Sequence, residues 1–347
     1  VKNLPAARGA FLALLAALLF GASTPLVQRV GVGVSAWMTA AMLYAGAAIM
    51  GLLLRSGIAK EAALRRRHLP RLLLMALCGA VIGPVALSWG LQHTSGMSAS
   101  LMLTLEAVFT VLLSCLLYRE HIYRRVGLAI ALLTLGGALL IFDRAGNGTT
   151  QVIGLLAVLV ATVSWAVDNT LSRALADLDP GRVVLGKATV GAACSFLIAA
   201  TTGETALTLS AGVGLFLIGA IGYGLSLRFY LLAQRALGAA RTGSVFATAP
   251  FIGAVIAFGL GERGLSPWLL GGAALMVAGV LLHISERHEH KHEHKTLEHE
   301  HAHTHADGHH IHTHVQIPVG SHSHQHKHEP VTHIHAHTPD LHHAHKH

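Results

Sequence analysis

Charged side chains are scarce in this chain of 347 residues: they make up 12% of it, where a soluble domain carries about 25%. That deficit excludes a water-soluble globule for most of the sequence. Cysteine is nearly absent. Cys78, Cys115 and Cys194 are odd in number and lie inside apolar segments, so no disulfide framework and no thiolate metal motif is expected, only small buried apolar side chains. No nucleophile–base pair, phosphate loop or cofactor motif occurs, so neither an enzyme nor a tightly bound cofactor is expected. The sequence pI of about 9.8 does not point to nucleic acid, because the basic residues sit in short loops beside apolar runs. That placement belongs to membrane orientation.

Long apolar runs are what the chain has in abundance. Mean hydropathy is +0.55, and the average conceals a division. Gly9 to Ser285 alternates apolar runs with short polar breaks, whereas Arg287 to His347 has few apolar residues. A helix needs about 20 mostly apolar residues to cross the hydrocarbon core. Ten stretches qualify, near 9–28, 34–54, 71–91, 97–118, 125–142, 152–171, 182–201, 211–234, 240–260 and 266–284. The first follows Lys2 and Arg8, as a signal peptide would, but its length and the similar segments after it read as a retained span. With the N-terminus in the cytoplasm, the loops on that side hold Arg55, Lys60, Arg65, Arg66, Arg67, Arg71, Arg119, Arg124, Arg125, Arg173, Arg182, Arg235 and Arg241. The other side holds only Arg29, Arg144 and Arg263. This asymmetry predicts a multi-pass protein of the inner (plasma) membrane with both termini cytoplasmic.

The spans repeat. Phe20–Arg29 (FGASTPLVQR) and Ser164–Arg173 (SWAVDNTLSR) each close the first span of a half. LLYRE ending at Glu120 and GLGE ending at Glu262 each follow a fourth span, and a glycine-bearing fifth span comes next. Matching positions lie about 142 to 144 residues apart. Five spans per half is an odd number, so the second half is inverted relative to the first, with a substrate site expected near the midplane between them. The expected units are a first five-helix repeat over 1–143, a second over 144–286 and a disordered tail over 287–347. Gly79 with Gly83 and Gly253 with Ala257 read as small-residue packing faces, as do Gly214, Gly219, Gly222 and Gly224. Pro25, Pro84 and Pro250 interrupt the backbone ladder within spans. A homodimer stays open.

These paired motifs resemble the drug/metabolite transporter superfamily, in its EamA-type ten-helix branch, over residues 9 to 285. The resemblance rests on GASTP in the first span, SWA at Ser164–Ala166, LEAVFTVLLSCLLYRE at Leu105–Glu120 and ATAPFIGAVIAFGLGE at Ala247–Glu262. It departs at Ala107, where the family commonly has proline, which leaves the local shape of the fourth span open. It implies an all-α integral membrane carrier. Members export amino acids, metabolites, sugars or drugs. With its histidine-rich tail the chain further resembles the nickel and cobalt resistance (Cnr-type) membrane proteins.

Polar residues inside spans are the candidate transport and substrate residues. Glu106 lies near the middle of the fourth span, where an ionised carboxylate costs about 2.5–3.5 kcal/mol on insertion scales. It is tolerated if protonated, paired or facing water. One reading makes it a proton- or cation-coupling group, and the other makes it a partner of a base such as Arg228. Asp168, Asn169 and Lys187 form a second group, with Asp168 and Lys187 at similar depth on consecutive spans. They read as a structural ion pair or as a gate and substrate contact. Arg228 either snorkels to the interface or binds an anion. Glu120 and Glu262 read as loop anchors. His93, Met97 and Met102 read as packing and boundary residues rather than soft metal ligands.

The tail carries 23 of the 27 histidines. They alternate in HEHKHEHK (His288, His290, His292, His294), HEHAHTH (His299, His301, His303, His305), a central run (His309, His310, His312, His314), HSHQHKH (His322, His324, His326, His328) and HIHAH (His333, His335, His337). The segment has little to bury and is expected to stay disordered without ligand. Neutral imidazoles ligate nickel, cobalt, zinc and copper, and Glu289, Glu293, Glu298, Glu300 and Asp307 add oxygen donors. The bland alternative is a tail that titrates near pH 6.5. Affinity alone favours copper, so the sequence does not choose among nickel, cobalt and zinc. The spans hold no mid-membrane histidine, which counts against a bare transition metal crossing an all-histidine site. A metal complexed with a small metabolite, or a cavity using Glu106 and carbonyls, meets that objection.

Three functions follow from these residues: a proton-coupled exporter of nickel or cobalt whose tail captures the ion, a metabolite or amino-acid exporter whose tail senses or buffers metal, and a membrane-anchored metal store. The first explains both parts of the chain. The expected partners are the lipid bilayer and transition-metal ions.

Overall fold

The computed structural model describes residues 4–54, 64–118, 124–146, 148–172, 175, 178–237 and 239–284, with 289–293, 297–303, 322–328 and 332–336 in the tail. Among the described residues, ten helical stretches are long and apolar enough to cross a membrane, and each coincides with an expected span to within a few residues. Spans one and two are α1 (Leu4–Val30) and α2 (Ala36–Leu53). Span three is α3 (Leu69–Ala76) and α4 (Gly83–Leu91), joined by a π-wound segment, Leu77–Ile82. Span four is split into α5 (Gly96–Met102) and α6 (Leu105–Tyr118), and span five is α7 (Arg124–Ala145).

The second half reproduces this order. Spans six and seven are α8 (Thr149–Ser172) and α9 (Pro180–Thr201). Span eight is α10 (Leu209–Ile218) and α11 (Ser226–Leu237) around a second π-wound segment, Gly219–Leu225. Span nine is split into α12 (Ala239–Phe246) and α13 (Ala249–Gly259), and span ten is α14 (Pro267–Ile284). Packing follows the same two-fold logic: α2 lies on α9 and α7 on α14, α1 packs against α11 and α13, and α8 packs against α4 and α6. The first span of each half therefore sits in the other half's third and fourth spans, or their mirror, as inverted repeats require.

The paired breaks have a local cause. In span nine, Pro250 supplies no N–H to the turn before it. Ala107 replaces the corresponding proline in span four, yet that span breaks at the same place. In both, a threonine turns its hydroxyl onto the carbonyl three residues back: Thr104 onto Leu101 and Thr248 onto Val245, each at 2.8 Å. A hydroxyl competing for the backbone acceptor loosens the helix without proline.

Apolar side chains cover the outside of the bundle, among them Phe11, Leu116, Phe142, Leu197, Val255 and Leu281. Such a surface belongs in lipid, where no apolar patch needs a protein partner. Cys78 and Cys115 are half-buried, but Cys194 is exposed on this outer surface and is not the buried side chain expected. Glycines let backbones touch inside the bundle: a Cβ at Gly46 or Gly219 would collide with the carbonyls of Phe216 and Leu43.

In the tail, expected to lack structure without ligand, the described backbone forms four short strands. β1 (Glu289–Glu293) pairs with β4 (Thr332–Ala336), and β2 (Leu297–His303) with β3 (His322–His328), both antiparallel. The His-x-His alternation has the strand's period of two. The register sets His290 opposite His335, His292 opposite His333, His299 opposite His326, His301 opposite His324 and His303 opposite His322. His288, His294, His305, His309, His310, His312, His314 and His337 lie outside the described residues.

Candidate substrate site

The site begins with a carbonyl that the helix cannot use. Where span three winds as a π-helix, the Gly83 N–H reaches back to Cys78, and the next position along, Pro84, has no N–H to give. The Gly79 carbonyl is thereby released from the ladder. It accepts from the Trp165 ring N–H at 3.0 Å and from the Tyr44 hydroxyl. The two glycines of this segment face the site as well. A Cβ on Gly79 would run into the Asp168 carboxyl, and one on Gly83 would lie 2.7 Å from Trp165 Nε1. Gly79 and Gly83, read from the sequence as a helix-packing pair, make room for side chains of span six.

Around these anchors lies a narrow cleft of about 60 Å³. Its wall is aromatic: Phe20, Tyr44, Trp165, Tyr223, Tyr230 and Phe246. The rings form a chain of contacts, edge-on except for the tilted Phe20–Phe246 pair. Phe20 stands 5.4 Å from both Trp165 and Phe246 and 5.7 Å from Tyr223, Tyr44 stands 5.6 Å from Tyr223, and Tyr230 stands 5.0 Å from Phe246. Edge-on packing fixes each ring and leaves faces for a guest. None of these six was expected from the sequence. The available signal was that Phe20 and Trp165 belong to the two motifs that repeat between the halves.

Polar groups gather on one side of the cleft. Glu106, at the start of α6, accepts a hydrogen bond from the Asn169 amide. Lys187 is paired with Asp168, each 3% exposed. Four of the five candidate transport residues thus meet in one place. Arg228 is not with them: it donates to the Leu54 carbonyl at the end of α2. The alternative in which Arg228 neutralises Glu106 is not what the structure has, and Glu106 forms no ion pair among the described residues. Two buried polar atoms on the wall lack a partner among the described residues, Asp168 Oδ1 and the Tyr223 hydroxyl.

Hydrogen bonds tie the elements together at the bundle end opposite the termini. Glu262, after α13, accepts from the Gly96 and Met97 N–H groups at the start of α5, at 2.8 and 2.9 Å. Gln28 donates to the carbonyls of Leu91 and Thr94 at 3.1 and 2.9 Å, and Gln92 to that of Val34 at 2.9 Å. Arg144 donates to the Ser98 hydroxyl at 3.0 Å, and Ser266 to Asp143. Glu262 is an anchor, as expected, and one that joins the two halves. Glu120 lies outside the described residues. Met97 and Met102 are buried in the core, and His93 is stacked on Trp89.

The two-fold bundle of apolar helices thus surrounds a polar and aromatic cleft. The EamA-like transporter family matches this chain over residues 7–142 and 152–285, and the protein belongs to that family. It is 32% identical over 210 residues to an "Uncharacterized transporter" of Methanothermobacter thermautotrophicus, covering 57% of this chain and 59% of that one. It is 32% identical over 103 residues to the "Uncharacterized transporter YdfC" of Bacillus subtilis, covering 29% and 33%. The matches thus span less than two thirds of either relative. A solved crystal structure has the same fold, with a TM-score of 0.60 at 20% identity over 79% of this chain and 94% of the other.

Proposed function

We propose that this transporter exports divalent nickel or cobalt from the cytoplasm across the inner membrane, driven by protons, with its tail as the cytoplasmic collector. One observation carries the reading: the body ends in a tail holding 23 of the chain's 27 histidines. The backbone register supports it, since it sets histidine opposite histidine at five positions. The loop charges support a cytoplasmic side for both termini, and hence for the tail. The chain divides at 143/144 into its two repeats and near 286/287 into body and tail. Glu106 serves as the coupling group. Its hydrogen bond comes from a neutral amide, so its charge is free to be answered by a proton or by a cationic cargo.

The aromatic wall favours a second reading, export of an organic metabolite or amino acid, with a tail that senses or buffers metal. Everted vesicles separate the two. They accumulate radioactive nickel or cobalt under an inward-acid proton gradient on the first reading; uptake no greater than in protein-free vesicles removes it. Truncation after Glu286 is expected to lower metal tolerance of cells without abolishing vesicle transport at saturating metal. Unchanged tolerance at every concentration removes the tail from the pathway.

A further inference from the structure

The cleft is chemically unlike a site for a naked transition metal. Nickel and cobalt favour imidazole and thiolate nitrogen or sulfur over lone carboxylates, and the residues lining the cleft include neither histidine nor cysteine. Asp168 is committed to Lys187, so Glu106 alone offers an uncompensated negative charge against an ion of charge two. The remaining surface is six aromatic rings with Ser226 and the apolar Ala47, Val184, Ala188 and Leu227. A bare ion would have to shed its water there for one carboxylate and some amide and hydroxyl oxygens.

An ion already wrapped in a small chelator meets none of these objections. With one monoanionic ligand the complex carries a single positive charge, which one carboxylate answers. The chelator brings the nitrogen donors that the cleft lacks, and its carbon frame lies against ring faces that also attract a cation. The polar pair supplies matching contacts: Asp168 Oδ1 has no partner and accepts an amine N–H, while Lys187, bonded to the other oxygen, retains donors for a carboxylate. An amine and a carboxylate on one small molecule is the pattern of an amino-acid chelator. We infer that the cargo is a singly charged complex of the metal with an amino-acid-type chelator, the complex crossing intact. This rests on the metal-export reading above.

The test uses the full-length protein in everted vesicles with radioactive nickel and differently labelled histidine as the probe chelator, each alone and then together, in a non-coordinating buffer. The sign of the chelator's effect decides. Histidine lowers the free ion concentration, so a carrier of the bare ion slows when it is added, whereas a carrier of the complex speeds up several-fold. Accumulation of both labels in a fixed ratio, and only when both are present, upholds the inference. Nickel uptake that is equal or faster without histidine overturns it and leaves metal export standing. Histidine uptake that ignores nickel, with no nickel entering, overturns both in favour of a metabolite carrier. No uptake of either label above protein-free vesicles also overturns both.

Discussion

Replacing Glu262 by alanine is expected to loosen the end of the bundle opposite the termini. The carboxylate joins the halves through a helix terminus: Oε1 and Oε2 accept separate N–H groups, from Gly96 and Met97, at the start of α5. An N-terminal cap contributes about 1 kcal/mol, within a range of roughly 0.5–2. A negative charge beside the positive end of a helix adds about 0.3–1 kcal/mol when it is partly exposed, as Glu262 is. The capping from Ser95, whose hydroxyl accepts from the Ser98 N–H at 3.1 Å, survives the change, so α5 itself is retained. The loss therefore falls on the contact between halves, about 1–2.5 kcal/mol, which is roughly a 5- to 70-fold shift in the closed-to-open ratio.

Thiol labelling reads that ratio. Ser100 is 1% exposed, beneath the latch and against Gly253. A Ser100→Cys chain with Cys78, Cys115 and Cys194 replaced reports access from the far side to a membrane-impermeant maleimide. Labelling is expected to be slow with Glu262 present and about 5- to 70-fold faster with alanine, on the scale just derived. Glu262→Gln falls between, because its amide oxygen keeps one acceptor without the charge. Equal labelling rates in all three proteins, with unchanged thermal unfolding, would refute the latch.

Three further outcomes follow from the cleft. Glu106→Gln preserves an oxygen for Asn169 but removes the titratable charge, so proton-driven uptake is lost while exchange at equilibrium persists; undiminished driven uptake takes Glu106 out of coupling. Breaking the buried pair with Asp168→Asn or Lys187→Met alone costs about 3–5 kcal/mol, because each leaves a buried charge unanswered. The double variant costs much less than the sum, as a thermal unfolding cycle in detergent will read; strict additivity would deny the pairing. Gly79→Ala drives a methyl into the Asp168 carboxyl and is expected to destabilise the protein by about 1–3 kcal/mol. It also abolishes transport, and wild-type unfolding and uptake would contradict that close approach.

The membrane-spanning frame was legible in the sequence because its signal is local and additive. Each span is a run of apolar residues as long as the bilayer is thick, and the repeat of FGASTPLVQR with SWAVDNTLSR announces the halves. Glu106, Asp168, Asn169 and Lys187 were legible for the opposite reason: polarity in lipid is costly enough to need a purpose. Their partners were not legible. Whether Glu106 meets Arg228 or Asn169 depends on the rotation of spans four, six and eight about their axes, which hydropathy does not encode. The rings were hidden too, since three of the chain's five tyrosines line the cleft and an aromatic residue inside an apolar helix looks like any other lipid-facing residue. Gly79 appeared as half of a packing motif because only the assembled structure brings Asp168 against it.

The two-fold frame and the one-sided chemistry make different demands, and together they explain why a single glutamate can matter. Helix breaks at Thr104 and Thr248 and π-wound segments at Leu77–Ile82 and Gly219–Leu225 recur in both halves. Halves that are inverted copies exchange places when access alternates, so the frame alone gives the two open states similar energies. A balance of that kind is moved tenfold by about 1.4 kcal/mol. The groups that break the symmetry therefore set which state is occupied. Glu106, Asp168, Asn169 and Lys187 come from spans four, six and seven, and the residue matching Glu106 in the second half is the apolar Ala249. A carrier of the proposed kind would keep the cargo and the coupling ion in one set of side chains while the repeated frame supplied the motion. Substitutions in the cleft should then change what is carried, and substitutions at Glu262 should change only which side it is carried from.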